Sequence, residues 1–297
     1  MRWMVTGAGG QLGRCLVRRL EAESRHCLAV APAHADLDLS DRGSLCEILE
    51  RERPDVVANA AAFTFVDRCE TEPELAHRIN AEAPGVLAEE CEGRGIRLVH
   101  VSTDYVFDGR ARSPYAEGDP PAPTSEYGRS KLEGERRVEA ANPSALILRT
   151  SWVFGPGRNF VATIVHAAGA RRASGTGEPL RVVDDQFGSP TYADDLAGWT
   201  IRLVEGEASG VYHLANRGIA TWWEVAREAL DRGGFSDLAI ERVATSEFPR
   251  PAPRPAWSVL DCRKADEAGI RRRGWREALA AYLESDDSPL RALGEMR

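Results

Sequence analysis

The chain has 297 residues, 43% of them hydrophobic, with a formal net charge of −8 and a pI of about 5.4. That is enough apolar material for a sizeable core, and the acidic balance offers nucleic acid no basic surface. No secretory h-region follows Met1, and no apolar stretch reaches the roughly 18 residues of a membrane span, so a soluble, cytoplasmic protein with no membrane partner is expected.

The chain opens as strand, glycine turn and helix. Met4-Val5-Thr6 closes a short apolar run, Gly7-Ala8-Gly9-Gly10-Gln11-Leu12-Gly13 follows, and Leu12, Leu16, Val17 and Leu20 recur at helical spacing. Gly7, Gly10 and Gly13 fit G-x-x-G-x-x-G. The first permits a tight turn, the second lets the backbone approach a pyrophosphate, and the third lets helix and strand pack closely. The helix N-terminus then turns unpaired N–H groups and a positive dipole end toward phosphate. A second apolar run, Cys27 to Ala31, leads into Pro32-Ala33-His34, where a dinucleotide fold usually carries the acid for the ribose 2′-OH. No carboxylate stands there to repel a 2′-phosphate, which leans toward NADPH; no arginine cluster stands there either, and NADH stays open. Asp38-Leu39 reads either as a flank for adenine or as a helix cap.

A helix is expected around 42–52, a buried strand in "PDVVANAAA", a helix around 72–93 and a strand in "IRLVHVSTDYVF". Tyr127 to Ala140 reads as a further helix and Leu146-Ile147-Leu148 as the next strand. Strands alternating with helices imply an α/β fold, a Rossmann-type doubly wound parallel sheet. Beyond it the rhythm loosens: "GPGRN", "GTGEP" and "PRPAPRPA" are loop chemistry, and Thr221-Trp222-Trp223-Glu224 predicts a capping box. Residues 1–150 are expected to form the dinucleotide-binding domain, with elements at about 180–205 returning to it. Residues 151–297 should form mainly a smaller, C-terminal substrate-binding lobe. Arg271-Arg272-Arg273 is expected to be a solvated turn. The six cysteines, at 15, 27, 46, 69, 91 and 262, form no C-x-x-C pair, and the six histidines form no H-x-x-x-H; free thiols and no metal site are expected.

The chemistry-bearing pattern is Tyr127-Gly128-Arg129-Ser130-Lys131. Of 38 basic residues only Lys131 and Lys264 are lysine, so a lysine four residues after a tyrosine stands out. A helix puts both on one face. A phenol is a poor acid–base catalyst at its ordinary pKa of about 10, and a nearby ammonium favours the phenolate. The ammonium is a compact charge that can also hydrogen-bond a ribose, which arginine's planar fork replaces poorly. Thr103, at the C-terminal end of the "IRLVHV" strand, supplies a hydroxyl at the sheet edge where such folds bind ligands.

Together these features resemble the extended short-chain dehydrogenase/reductase superfamily and, more finely, the dTDP-4-dehydrorhamnose reductase family. "VTGAGGQLG", "PDVVANAAAFTFVDRCETEPELAHRIN", "VSTDYVFDG", "YGRSKLEGE", "LRTSWVFG", "DDQFGSPT" and "GVYHLAN" carry the resemblance along most of the chain. It implies reduction by NADPH or NADH of the C4 keto group of a dTDP-linked 4-keto-6-deoxyhexose, dTDP-4-dehydro-L-rhamnose giving dTDP-L-rhamnose. Tyr127 would be the general acid, Thr103 would bond the same oxygen, and Lys131 would lower the tyrosine pKa and hold the nicotinamide ribose. It lays Gly10, Gln11, Leu12, Asp38, Leu39, Ala61, Ala62 and Phe63 along the dinucleotide, with Asn80 a supporting helix asparagine. It puts Thr103, Asp104 and Trp152 on the sugar nucleotide, with Asn159, Gln186 and Arg254 as further candidates. Two residues depart from the pattern. Arg14 stands where some relatives have an acid that helps bind a metal between subunits, so neither metal nor that dimer is carried over, and monomer or homodimer stays open. Phe63 stands where relatives often have histidine. Tyr105, in place of the dehydratases' glutamate, argues against dehydration. The alternatives are a reductase of a related antibiotic deoxysugar, such as one forming dTDP-dihydrostreptose, and a non-catalytic subunit like that of methionine adenosyltransferase.

Overall fold

The computed structural model describes residues 1–33 and 37–294; His34, part of the segment read for the ribose acid, lies outside them. The first five strands are β1 (Arg2–Thr6), β2 (Cys27–Val30), β3 (Val56–Asn59), β4 (Arg97–Thr103) and β5 (Leu146–Thr150). Short strands follow: β6 (Val153–Phe154), β7 (Leu180–Val183), β8 (Phe187–Gly188) and β9 (Thr191–Tyr192). Then come β10 (Gly210–His213), β11 (Ala220–Thr221) and β12 (Ile240–Val243). The main sheet has six strands in the order β10-β5-β4-β3-β1-β2, all paired in parallel. The order reverses between β1 and β3, which is where open α/β sheets bind ligands.

Helices α1 (Gln11–Ala22), α2 (Arg42–Glu52), α3 (Val66–Thr71), α4 (Pro73–His77), α5 (Ala83–Gly93) and α6 (Glu126–Ala141) connect the first strands. After them come α7 (Phe160–Ser174), α8 (Ala193–Glu205), α9 (Trp222–Arg232), α10 (Arg263–Glu267), α11 (Trp275–Glu284) and α12 (Pro289–Gly294). Leu12, Cys15, Leu16 and Leu20 of α1 pack with Leu196, Ala197 and Trp199 of α8 on one face of the sheet. Leu45, Ile48 and Leu49 of α2 and Leu87, Ala88 and Cys91 of α5 cover the other. Covered on both faces, the strands carry the near-continuous apolar runs that made them legible. A separate core joins α7, α9 and α11 with β7, and the pairs β7–β12, β8–β11 and β6–β9 complete this smaller lobe. Among the described residues, no helix is long and apolar enough to cross a membrane.

Two local expectations need correction. The helix expected over 72–93 is interrupted by a π-helical turn, Arg78–Glu82, between α4 and α5. Pro84 has no N–H for the Asn80 carbonyl four residues back, so the turn widens there. The arginine run is not simply solvated. Arg272 bonds both oxygens of Asp266 at 2.9 Å and the Ala215 carbonyl, and Arg273 holds Asp195 through two 2.8 Å bonds; Arg271 alone is exposed.

Candidate active site

The glycine turn forms the floor of the first cavity. Gly7 has φ +68°, and a Cβ there would lie 2.5 Å from the Ala61 amide; a Cβ on Gly13 would lie 2.2 Å from the Gly7 carbonyl. Both positions therefore exclude any side chain. Gly10 is the N-cap of α1 and offers no side-chain cap, so the first N–H groups of the helix remain for a ligand. Above them is a cavity of about 330 Å³ lined by Gly7 to Gly10, Pro32, Ala33, Asp38, Leu39, Ser40, Ala61 and Ile79, among others. This cradle of backbone donors and small residues fits the pyrophosphate and adenosine of a dinucleotide. Gln11, the first residue of α1, lies outside this lining; its Oε1 is buried without a partner. The Leu12 side chain packs into the core instead, leaving only its backbone near the cradle. Asp38 also caps its own turn, accepting from the Ser40 amide at 2.8 Å.

Asn80, expected as an asparagine supporting the cofactor site, has its amide engaged inside the protein. Oδ1 accepts from the Phe63 amide at 2.8 Å, and Nδ2 donates to the Phe63 carbonyl and to Ser130 Oγ at 3.1 Å each. Asn80 thus clamps the 60–63 loop from beneath. Phe63 is buried, tilted against Phe65, with Arg68 over both rings; Ala62, beside it, is half-buried.

Tyr127 meets Thr103 where α6 crosses the end of β4, and Lys131 reaches β4 one helical turn further on. Ser125 caps α6 by accepting from the Gly128 amide, and Tyr127 follows in the first turn. Gly128 and Gly134 let the helix lie close: added Cβ atoms would meet the Tyr105 carbonyl at 2.2 Å and the Asn80 carbonyl at 2.1 Å. Burial pushes the Tyr127 phenol up, with the Thr103 hydroxyl pulling it back and Asp104 adding to the rise. Lys131 is buried and donates to the Val101 carbonyl at 2.7 Å; burial pushes it down to about 8, opposed by Glu135. Thr103 Oγ1 donates to Asp104 Oδ1 at 2.9 Å and accepts from the Tyr105 amide. Asp104 is buried, and burial pushes it up to about 6, with the Ser258 and Thr103 hydroxyls pulling it back.

The second cavity, of about 720 Å³, opens between α3, the Tyr105 turn and the smaller lobe. Asp67, Tyr105, Phe160, Arg181, Gln186, Trp222, Arg250 and Arg254 are among its walls. Tyr105 meets Tyr127 edge-on at 5.5 Å, so the phenol lies directly behind this wall. Trp152 stands in the left-handed region at φ 47°, with its ring against Gly188 and stacked on Trp222 at 3.6 Å. For a bulky residue that conformation is strained, and the stack and Gly188 hold it. Gln186 orients the partner ring: its Oε1 accepts from Trp222 Nε1 at 3.1 Å while Nε2 donates to Thr245. Asn159, read as a substrate residue, is not in this wall. Its Oδ1 caps α7 and its Nδ2 donates to the Gly155 and Gly157 carbonyls and Tyr282, a structural role.

Asp67, Trp222, Arg181 and the pair Asn59–His100 were not singled out in the sequence. Polar residues inside the apolar strands "VVAN" and "LVHV" were a signal for the last two. One cluster of metal-ligand types exists among the described residues, Glu23, His26 and Glu205. Trp3 Nε1 donates to His26 Nδ1 at 3.3 Å, so Nε2 carries the ring proton and faces Glu205 at 3.1 Å. The ring keeps no free lone pair for an ion.

The chain is similar to known proteins over most of its length. The family described as the RmlD substrate binding domain matches residues 1–288. A dTDP-4-dehydrorhamnose reductase of Mycolicibacterium smegmatis is 41% identical over 97% of this chain and 88% of its own. A probable dTDP-4,6-dihydroxy-2-methyloxan-3-one 4-ketoreductase of Streptomyces antibioticus is 44% identical over 94% and 93%. A solved dTDP-4-dehydrorhamnose reductase of Bacillus anthracis, in complex with NADP, superposes with a TM-score of 0.88 at 33% identity, covering 95% of this chain and 98% of that one. With a glycine cradle, a Tyr127–Lys131 pair and matches that run almost end to end, the chain belongs to the dTDP-4-dehydrorhamnose reductase family.

Proposed function

We propose that this protein uses NADPH to reduce the C4 keto group of a dTDP-linked 4-keto-6-deoxyhexose, converting dTDP-4-dehydro-L-rhamnose to dTDP-L-rhamnose. The observation that carries the reading is the seat of Tyr127 and Thr103 at the C-terminal edge of β4, behind a large cavity walled by Tyr105, Trp222 and three arginines. Similarity to reductases of such sugars supplies the substrate class.

The nicotinamide, when bound, supplies hydride. Tyr127 gives its proton to the C4 oxygen as negative charge develops there. Because burial holds the phenol protonated, the donor is loaded at neutral pH, and an ammonium one helical turn along α6, at Lys131, favours the phenolate left behind. Thr103 donates to the same oxygen after turning its hydroxyl away from Asp104, which keeps it oriented beforehand. Trp222, backed by the stacked Trp152 ring, gives the sugar an apolar wall. Arg254, Arg250 and Arg181 line the cavity where a diphosphate finds its positive charge.

A second reading keeps the chemistry and changes the sugar. The likeness to the Streptomyces 4-ketoreductase favours a related deoxysugar. A purely regulatory role leaves the Thr103, Tyr127 and Lys131 constellation without a task. The test is absorbance at 340 nm with NADPH and dTDP-4-keto-6-deoxyglucose, with and without its 3,5-epimerase. Oxidation only with the epimerase, with dTDP-rhamnose as product, supports the first reading. Oxidation without the epimerase favours the second, and a flat trace with folded protein and every 4-keto sugar offered removes both.

A further inference from the structure

A chain of buried polar groups runs under the catalytic lysine. His100, within β4, has no exposed surface. Its orientation is fixed from a backbone amide outward. The Ala61 N–H donates to Asn59 Oδ1 at 3.2 Å, and the Thr6 hydroxyl donates to the same oxygen at 2.7 Å. A backbone N–H is always a donor, so the oxygen end of Asn59 is settled and its NH₂ group faces His100. That group donates to Nδ1 at 3.2 Å. An accepting Nδ1 carries no proton. Burial, reinforced by the Lys131 charge, keeps the ring neutral, so its one proton sits on Nε2. Nε2 lies 3.5 Å from Lys131 Nζ. An N–H there meets an ammonium, donor against donor, whereas the Val101 carbonyl accepts from Nζ at 2.7 Å.

We propose that Asn59 and His100 form a tautomer lock on Lys131: they turn an imidazole N–H, not a lone pair, toward Nζ, so the ammonium is directed to the Val101 carbonyl and keeps its other protons for a ligand hydroxyl. The last consequence rests on the proposed function, with Lys131 meeting a hydroxyl of the bound cofactor; the lock itself does not. His100 is a positioning residue in this scheme.

The other ionisable groups around Lys131 leave this effect distinct. Its own helix brings Tyr127 and Glu135, and Glu135 is tied to Arg149 of β5. Around Tyr127, one helical turn back, the turn after β4 places Asp104 and Tyr105 and α3 places Cys69, with Glu70 on the Glu126 amide. On α4 and the π-helical turn, Glu74, Arg78 and Glu82 are exposed and His77 is half-buried, while Glu90 of α5 is held by Arg42 and Arg94. Freeing Nδ1 lets the ring take the other tautomer and accept from Nζ, which favours the ammonium.

The chain itself makes the test clean, since Lys131 and Lys264 are its only lysines. Protein labelled with ¹³Cε-lysine gives two resonances to titrate, and ¹⁵N-histidine reports tautomers, with His100 identified by its loss in His100→Gln. Ligand-free wild type is expected to show His100 as the neutral Nε2–H form. In Asn59→Leu the Lys131 midpoint is expected to rise by about one pH unit, a roughly tenfold gain in proton affinity, with Lys264 unmoved. An Nδ1–H tautomer in wild type overturns the proposal, and so does an unmoved Lys131 midpoint in folded Asn59→Leu. If that variant does not fold, the wild-type tautomer decides. Neither readout needs turnover, so a protein inactive on every keto sugar but with His100 locked refutes the proposed reaction and not the lock.

Discussion

Arg254 donates to Asp67 at 2.9 Å across 187 positions of sequence, and Asp67 also accepts from the Ala252 amide. The pair ties the proline-rich loop to α3 at the wall of the larger cavity. Asp67 thus supplies the anion for Arg254 that a diphosphate would replace. Arg254→Ala is expected to raise KM for the sugar nucleotide by about 10- to 100-fold, the scale of a charge-assisted hydrogen bond, with a smaller effect on kcat. Asp67→Asn is expected to leave KM unchanged or lower it. Initial-rate kinetics check both, and an unchanged KM in Arg254→Ala removes that arginine from substrate binding.

Tyr127→Phe keeps the ring against Tyr105 and deletes the proposed proton donor. Turnover is expected to fall by at least ~10²-fold, the usual scale of a lost general acid, with cofactor affinity nearly intact. Single-turnover rates and NADPH fluorescence titration measure the two separately. Near-normal turnover would take Tyr127 out of the mechanism.

Lys131 makes activity and stability diverge above neutrality. Burial lowers it from 10.5 to about 8 in the folded protein, while the unfolded chain keeps its proton up to 10.5. Between these values the unfolded state binds more protons, so this group's cost to stability is full below about 8 and is relieved as pH rises toward 10.5. The Lys131 ammonium is lost over the same window. Reductase activity is therefore expected to fall above pH ~8 while the Lys131 contribution to stability rises. Urea midpoints of wild type and Lys131→Met across this range, set beside the kcat profile, test the pairing; a kcat that stays flat through pH 10 goes against it.

Arg149 and Glu135 form a buried pair, Nη2 to Oε2 at 2.7 Å, with Arg149 also over the Phe107 ring at 5.2 Å. It pins α6 to β5 one turn beyond Lys131. Removing one partner strands the other charge in the core, so Glu135→Gln is expected to cost about 3–5 kcal/mol in urea unfolding. A loss within 1 kcal/mol of zero, on the order of a surface pair, would place the two charges in contact with water instead.

The close seat of α6 gives a sharper test. Ala at Gly128 would put Cβ 2.2 Å from the Tyr105 carbonyl, so the helix must move away. Misplacement by about 1 Å can cost ~10²-fold in rate, and Gly128→Ala is expected to lose turnover on that scale while it still binds NADPH. Wild-type kcat in this variant would mean that the approach of α6 does not set the chemistry.

What was legible in the sequence was local. The glycine turn, the capped helix carrying Tyr127 and Lys131, the hydroxyl ending β4 and the Thr221–Glu224 capping box each follow from spacing within about a dozen residues. What was not legible depends on contacts between distant segments. Nothing near Trp152 announces Trp222, and nothing near Asp67 announces Arg254. Asn80 and Asn159 show a second limit. An amide suits a ligand and a backbone clamp equally, and here the fold uses both residues for backbone. The arginine run was misjudged for the same reason, because Asp195 and Asp266 reach it only through the fold.

In the proposed reaction hydride reaches C4 of a nucleotide-linked sugar in a site built on Tyr127. The most direct measurement uses NADPH deuterated at the nicotinamide C4 and follows the sugar product by NMR. The account predicts deuterium at C4 of a dTDP-6-deoxyhexose, at a rate cut by at least ~10²-fold in Tyr127→Phe. Deuterium at another carbon, or none in the sugar while the cofactor binds to a folded protein, would contradict it.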